Sequence, residues 1–446
     1  MTASSNGPGT DGSDRVVARA LVVAPDGNHL GIQDKLAARG YHCTLATSIP
    51  ESDTSPEGEH PDVVILIGDA ADQIKLGSGP QAPIMVIGGE PNAALNVGHL
   101  RVVVVDALPL VFNDLELFSR VDSLVRLNTI REELDRRFET MGKFVAQPPA
   151  LELPAINSNN ARIVLVGSDP EMLGHITNIL PPGSATTRFD EPYQALAGLT
   201  DDPQDMLVVA PGTGDLEDYL ELFRGIRGNS RLYNLPVVMV SDGKLADLDP
   251  PYTAGATAVF QWPDEMGLIR TQTDLLVLQD RYRMAMRSAY RQTHMGRTRD
   301  ELTGLYTHGF LHEHLGAQIA AAQAGRKYLT LGYFEIASLT KLNTAYGYAA
   351  GDHLLRQVGG IITSLVRAED VPGRYHGGSL CVIMSETPKG EGQAALNRIG
   401  GVISNTEFAV MDVPEPVAVD FRNGSAELRD GDTPESLIQR AREDMG

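Results

Sequence analysis

The sequence contains few cysteines, little positive charge and no long hydrophobic run. Its 446 residues include only Cys43 and Cys381, which lie far apart and are too few for a disulfide framework or a four-ligand zinc site. We therefore expect a reducing, cytoplasmic setting. With 58 acidic against 37 basic residues, the net charge of −21 repels a phosphate backbone and disfavours a nucleic-acid polymer as partner.

The apolar segments are short throughout the chain. Those at 21–23, 63–67 and 102–105 fall far short of the roughly 18 residues that a membrane span needs, so we expect none. Residues 1–14 are rich in Ser, Gly, Thr and Asp and lack a basic segment followed by an apolar one. We interpret them as a disordered tail rather than a secretion signal. At about 150 residues per domain, the length predicts three domains.

Two similar α/β patterns occupy the first 290 residues. Short apolar segments separated by longer stretches predict parallel strands that are covered on both faces. The segments lie at 21–23, 63–67, 84–87 and 102–105, and again at 162–166, 206–209, 237–240 and 258–260. The predicted domains are 15–140 and 161–296, with a linker at 141–160. Each pattern ends in a predicted long helix, through 117–137 and 264–291, which either packs on its own sheet or forms a dimerisation stalk.

A third pattern fills the remainder of the chain. Asp300-Glu-Leu-Thr-Gly-Leu-Tyr306, Phe334-Glu-Ile-Ala337, Leu342-Asn343 and Ala349-Ala-Gly-Asp352 together resemble a GGDEF domain, the module that joins two GTP molecules into cyclic di-GMP. The resemblance covers residues 297–446 and implies a nucleotidyl cyclase-like α/β fold. The two upstream domains resemble response-regulator receivers, which implies flavodoxin-like folds with parallel five-stranded sheets.

Both receiver-like domains lack the aspartate that receivers phosphorylate at the end of the third strand. The resemblance assigns that position to Ile67 in the first domain and to Ala210 in the second. Ser241 keeps the expected hydroxyl, but Trp262 stands where lysine is expected. In the first domain the comparable region, around 105–106, contains no lysine either.

Three aspartates leave alternatives open. Asp26 and Asp169, each in a loop after a first strand, are either remnants of the acidic cluster of receivers or helix caps. Asp69 lies two positions beyond Ile67, and a slipped alignment would make it the phosphoacceptor. A phosphorylation-dependent response regulator is therefore one alternative function.

The signature loop of the third domain is altered as well. Arg374-Tyr-His-Gly-Gly-Ser-Leu380 aligns with the family's Arg-Tyr-Gly-Gly-Asp-Glu-Phe, so Gly378 and Ser379 replace two carboxylates. Ala337 replaces an aspartate of the metal-binding strand, where Glu335 remains. Two-metal phosphoryl transfer needs anionic oxygen ligands. We therefore expect no catalytic residues and no bound metal; a residual diguanylate cyclase is the alternative.

A recognition motif precedes that loop. Arg367 in Arg367-Ala-Glu-Asp370 lies nine positions before His376, the spacing that the resemblance assigns to the family's inhibitory site, or I-site, for cyclic di-GMP. Arg398 stands where the family often has a further I-site arginine. A guanidinium donates to guanine O6 and N7, and a carboxylate accepts from guanine N–H groups. We predict that Arg367, Asp370 and Arg398 bind cyclic di-GMP; an exposed ion pair is the alternative.

Two other sets of residues have chemical potential. Asn343 and Asp352 match the family's guanine-contacting positions and form either a vestigial guanine site or ordinary turns. His308, His312 and His314 include an i, i+4 pair, but no acidic or cysteine partner has suitable spacing. Exposed helical histidines are therefore favoured over a metal site.

Two receiver-like domains followed by a degenerate GGDEF domain resemble the PopA-like cyclic di-GMP effectors. That resemblance implies a non-catalytic, homodimeric effector of the cell cycle that is recruited to a cell pole. It also implies protein partners, namely RcdA-like adaptors of the ClpXP pathway that deliver a response regulator for proteolysis.

Overall fold

The computed structural model describes residues 15–48, 60–68, 82–88, 104–146, 156–212, 216–229, 232–243, 245–294, 296–410 and 413–445. The predicted tail at 1–14, Asp69 and residues 147–155 of the predicted linker lie outside the described residues. Within these ranges, no helix combines the length and the apolar character needed to cross a bilayer.

The first sheet is parallel and five-stranded, in the order β2-β1-β3-β4-β5. Its strands are β1 (Arg19–Val23), β2 (His42–Ala46), β3 (Val63–Ile67), β4 (Ile84–Ile87) and β5 (Val105–Leu108). Helix α1 (Ile32–Ala37) connects β1 to β2, and α2 (Asp114–Gly142) follows β5. Every residue of β1, β3 and β4 is buried, as expected for central parallel strands covered on both faces.

The second sheet repeats this topology, with the order β7-β6-β8-β9-β10. Its strands are β6 (Arg162–Val166), β7 (Ala185–Phe189), β8 (Met206–Val209), β9 (Val237–Ser241) and β10 (Ala258–Gln261). Its helices are α3 (Pro170–Ile179), α4 (Pro192–Asp201), α5 (Leu216–Gly228), α6 (Asp249–Ala254) and α7 (Met266–Thr293). Both sheets have the strand order of the flavodoxin-like fold, which confirms the predicted fold class.

The third sheet is antiparallel, in the order β12-β13-β11-β14. Its strands are β11 (Leu329–Ile336), β12 (Val371–His376), β13 (Ser379–Ser385) and β14 (Phe421–Glu427). Its helices are α8 (His308–Ala324), α9 (Leu339–Tyr346), α10 (Tyr348–Leu365), α11 (Lys389–Ser404) and α12 (Pro434–Glu443). Separate apolar clusters form around Phe334 and around Tyr333, neighbours on β11, because successive side chains of a strand point to opposite faces.

The chain forms two compact units. The receiver-like unit comprises Ala18–Arg131 and Glu152–Ala289, and the cyclase-like unit comprises Met1–Val17, Glu132–Leu151 and Tyr290–Gly446. Helix α2 contributes its residues through Arg131 to the first unit and its residues from Glu132 onward to the second.

The sequence prediction missed three features of the parallel sheets. The edge strands β2 and β7 are largely exposed and have no continuous apolar run. Strand β5 begins at Val105 and includes Asp106, whereas residues 102–103 of the predicted run lie outside the described residues. A carboxylate is tolerated in this buried strand because it is paired with a buried arginine.

That arginine is Arg120 of α2, whose side chain is 1% exposed. It donates to Asp106 Oδ1 at 3.0 Å and to Glu116 Oε1 at 2.7 Å. Gln272 of α7 donates to the same Asp106 oxygen at 2.7 Å. Within the receiver-like unit, this buried cluster therefore joins β5 of the first sheet to the helix that follows the second.

Replacing Arg120 with methionine should strongly destabilise the receiver-like unit. The variant leaves two buried carboxylates without their cation, a loss worth about 3–5 kcal/mol. Urea unfolding of the full chain measures it, with Arg224→Met as the matched control. Arg224 pairs with Glu217 at an exposed site, so its loss should change the unfolding free energy by less than about 1 kcal/mol. Equal effects of the two substitutions would contradict this assignment.

Candidate functional site

The strand ends that correspond to receiver phosphorylation sites are apolar. Ile67 ends β3, and Ala210 directly follows β8; both side chains are buried. Ser241 ends β9 and Trp262 follows β10, as aligned. In the first sheet the strand that corresponds to β10 ends at Leu108, so Val105 and Asp106 lie within it rather than at its end.

The two loop aspartates have different structural roles. Asp169 caps α3, because its Oδ1 accepts from the backbone N–H groups of Glu171 at 2.9 Å and Met172 at 3.1 Å. Asp26 accepts from the backbone N–H of Asn28 at 2.9 Å, within a turn that precedes α1. The helix-cap interpretation is confirmed for Asp169, whereas Asp26 stabilises a turn.

The altered signature loop is a tight turn between β12 and β13. Gly377 adopts a left-handed φ of 53°, which glycine tolerates best. Arg374 donates to Gly377 O through Nε at 3.2 Å and Nη2 at 3.1 Å, and its Nη1 contacts Asp300 Oδ2 at 3.2 Å. Burial raises the pKa of Asp300, but donors from Thr303 and Arg374 outweigh it and lower the pKa below its usual value.

The turn leaves little space for a side chain at position 378. A Cβ on Gly378 would lie 2.8 Å from Leu339 Cδ2. Glu335 of β11 pairs in register with Ser379 of β13, so these two residues are neighbours across the sheet. Among Glu335, Ala337, Gly378 and Ser379, only Glu335 offers a carboxylate. Since Mg²⁺ is bound mainly by carboxylates, waters and substrate phosphates, Glu335 is the one of these four residues whose side chain suits that ion.

The predicted guanine-contacting residues lie on consecutive helices. Asn343 is on α9, and the exposed Asp352 lies near the start of α10. The Oδ1 atom of Asn343 is buried and has no hydrogen-bond partner among the described residues. A Cβ on Gly351 would lie 1.9 Å from that atom, so the close packing of Asn343 requires glycine at 351.

The three residues of the predicted I-site line one cleft. Arg367 and Asp370 lie in the turn between α10 and β12, and Arg398 projects from α11. Arg398 Nη2 donates to Leu365 O at 3.2 Å, at the end of α10. The cleft encloses about 10 Å³, the room of one water molecule, so a larger ligand would lie on the protein surface.

Asp370 also determines the shape of its turn. Its side chain is largely buried, at 6% exposure, and its Oδ2 accepts from the backbone N–H of Arg367 at 2.8 Å. The backbone N–H of Asp370 donates in return to Arg367 O at 3.2 Å. The Arg367 side chain is exposed. The turn therefore holds the Asp370 side chain in place, whereas the Arg367 side chain extends toward solvent.

The three histidines do not form a single ligand set. His314 is fully buried, which makes the expectation of exposed histidines wrong for this residue, and its Nε2 lies 2.9 Å from Glu133 Oε1. His312 Nε2 contacts Glu435 Oε1 at 2.8 Å, while the ring of His308 lies 6.1 Å from that of His312. A buried acid on α2 explains why His314 tolerates burial.

That acid, Glu133, is at the centre of a polar network that the sequence did not predict. Arg137 Nε donates to Glu133 Oε1 at 2.6 Å, and Gln318 donates to the other carboxylate oxygen. Burial raises the pKa of Glu133, but His314, Arg137 and Arg136 outweigh it and lower the pKa to about 2. The available sequence signal was the i, i+4 spacing of Glu133 and Arg137, which usually indicates an exposed pair.

A larger cavity, of about 400 Å³, lies within the receiver-like unit. Its lining includes Arg120, Glu116 and Glu265. Because Arg120 is already paired with Asp106 and Glu116, the lining has an excess of negative charge. The cleft around Arg367 differs from this cavity because two arginines line it.

Comparisons with known proteins agree with this architecture. Residues 297–446 match the family model "Diguanylate cyclase, GGDEF domain". The chain is 25% identical over 440 residues to the response regulator PleD of Caulobacter vibrioides, covering 96% of each chain. It is also 25% identical over 142 residues to the diguanylate cyclase DgcP of Pseudomonas aeruginosa, covering 32% of this chain and 21% of that protein.

Solved structures with the same type of domain give a weaker match. The GGDEF domain of DgcB from Caulobacter crescentus, in complex with c-di-GMP, is 23% identical and aligns with a TM-score of 0.32, covering 33% of this chain and 85% of that one. Together with the two flavodoxin-like sheets, the whole-chain similarity to PleD supports an architecture of receivers followed by a GGDEF domain.

The lowered pKa of Glu133 predicts a specific acid sensitivity. The pKa of Glu133 is about 2 in the folded protein and about 4.5 in the unfolded chain. At any pH above the unfolded pKa, the ionised carboxylate therefore stabilises the fold by roughly 3 kcal/mol. This stabilisation is lost as the pH falls from about 4.5, the pKa in the unfolded chain, through about 2, the pKa in the folded protein. Glu133→Gln should therefore destabilise the protein at neutral pH and progressively less in acid.

Urea unfolding of wild type and Glu133→Gln, from neutral pH to about pH 3, measures this difference. Glu313→Gln is the control, because Glu313 forms an exposed pair with Lys143. A difference between wild type and Glu133→Gln that does not change with pH would contradict the assigned ionisation.

Proposed function

We propose that the protein is a non-catalytic effector that binds cyclic di-GMP at Arg367, Asp370 and Arg398. One observation carries the proposal: these three residues line one cleft. The signature turn of the same domain has Gly378 and Ser379 where the resemblance expects two carboxylates. The match of residues 297–446 to the GGDEF family supports a cyclic dinucleotide as the ligand.

The chemistry of the cleft suits this ligand. Two arginines offer charge-assisted donors to guanine edges or to the phosphodiesters, which offsets the adverse net charge of −21. The cleft also contains Glu391 and Asp370, which can accept from guanine N–H groups. Because the enclosed space is small, recognition would occur through edges and charge rather than by enclosure of the ligand.

Loss of catalysis follows from the signature turn. Phosphoryl transfer between two GTP molecules needs metal ions to neutralise developing charge. Glu335 would have to hold them without the carboxylates replaced at 337, 378 and 379. The buried Oδ1 of Asn343 is the one observation that favours residual GTP binding, and it does not supply the missing metal ligands.

The downstream role that we propose rests on the resemblance to PopA-like effectors. A homodimer carrying cyclic di-GMP would engage RcdA-like adaptors at a cell pole and promote ClpXP proteolysis of a response regulator. The ligand would act by shifting the population of domain arrangements, which requires different affinities for the arrangements. Whole-chain similarity to the response regulator PleD is consistent with a signalling role.

Isothermal titration of the full chain with cyclic di-GMP tests the binding site. Arg367→Ala should weaken binding about tenfold or more, because a lost charged hydrogen-bond donor is worth ~1.5–3 kcal/mol. Asp370→Asn should also weaken it, although its side-chain oxygen can still accept from the Arg367 backbone. Arg356→Ala removes an exposed arginine from α10 and is the matched control. Unchanged affinity in Arg367→Ala would rule out this site.

A further inference from the structure

Arg137 connects helix α2 to the turn that carries the I-site motif. Its side chain is 3% exposed, and both Arg137 and the turn belong to the cyclase-like unit. Its Nη2 lies within hydrogen-bond distance of three consecutive backbone carbonyls: Ala368 at 3.2 Å, Glu369 at 3.0 Å and Asp370 at 2.9 Å. These carbonyls belong to the segment between Arg367 and β12.

The guanidinium is also held by a carboxylate and lies close to two aromatic rings. Nε donates to Glu133 at 2.6 Å, and the group lies 4.3 Å from the ring centroid of Tyr290 and 5.7 Å from that of Tyr306. Desolvation lowers the pKa of Arg137, but Tyr306 and Glu133 outweigh it, so the net shift is upward and the cation is retained. A planar guanidinium supplies the separate Nε and Nη2 donors that this arrangement uses, whereas the compact ammonium of lysine would not reach both sets of acceptors.

The contacts of Arg137 and Asp370 act on opposite parts of the same turn. The Asp370 carboxylate fixes the N–H of Arg367, while Arg137 fixes the carbonyls of the three residues that follow. Together they determine the backbone from which the exposed Arg367 side chain departs. We propose that Arg137 is a positioning residue for cyclic di-GMP, which presents Arg367 and Asp370 to the ligand in one geometry.

This inference rests on the proposed function and adds a regulatory consequence. Helix α2 contributes residues to both compact units, and Arg137 lies in its last two turns. If the packing of Arg137 raises the affinity for cyclic di-GMP, then the ligand must stabilise that packing by the same factor. The end of α2 is therefore the element whose packing cyclic di-GMP would strengthen.

Titration calorimetry of the full-length Arg137→Lys variant with cyclic di-GMP tests the inference. Lysine keeps the charge but cannot replace the separate Nε and Nη2 donors, so we expect the affinity to fall about tenfold. Arg131→Lys is the matched control, because Arg131 lies on the same helix and donates to Asn128 rather than to Glu133 or the turn. Glu133→Gln weakens the group that orients Arg137 together with its contacts to His314 and Gln318, should cause a smaller loss of affinity, and is the second variant.

Hydrogen exchange separates positioning from general stability. In the ligand-free protein, Arg137→Lys should speed exchange at the Asp370 amide, while exchange in the hydrogen-bonded strands β11 and β13 stays at the wild-type rate. Wild-type affinity in Arg137→Lys, or an equal loss in Arg131→Lys, would overturn the inference while leaving the proposed function intact. Failure of the wild-type protein itself to bind cyclic di-GMP would overturn both.

Discussion

Two buried guanidinium groups on helix α2 organise the polar interior of this acidic protein. Arg120 pairs with Asp106 and Glu116 in the receiver-like unit, and Arg137 pairs with Glu133 in the cyclase-like unit. A buried charge is stable only when it is paired and hydrogen-bonded. Because the side chains that surround each arginine come from several elements, α2 fixes those elements relative to one another within each unit.

Much of the fold follows from local sequence patterns. The central strands β3, β4 and β8 coincide with the predicted apolar runs, because strands buried on both faces need continuous apolar sequence. The edge strands β2 and β7 were missed because they are largely exposed and read as polar segments. The extent of β5 was not predicted because Asp106 interrupts its apolar pattern. The residue that compensates the charge of Asp106 is Arg120, which lies on the following helix and is not part of the strand pattern.

The residues of the candidate site were also predicted in part from the sequence. The resemblance to the family's I-site predicted that Arg367, Asp370 and Arg398 share a site, and all three residues line one cleft. Their ligand and their importance for binding stay predictions. Arg137 could not be identified from the sequence, because its contacts are backbone carbonyls more than 200 residues away and carbonyls leave no mark in a sequence pattern.

Within one domain, binding of a cyclic dinucleotide and catalysis of its formation depend on different residues. Recognition requires a few charged side chains on a fixed turn, whereas catalysis also requires metal ligands at the signature loop. The most direct measurement uses the full chain in two separate assays: titration calorimetry follows the binding of cyclic di-GMP, and incubation with labelled GTP and Mg²⁺, without added cyclic di-GMP, follows newly formed dinucleotide. The account predicts saturable binding of cyclic di-GMP and no label in the cyclic dinucleotide. Labelled cyclic di-GMP, or the absence of binding, would contradict it.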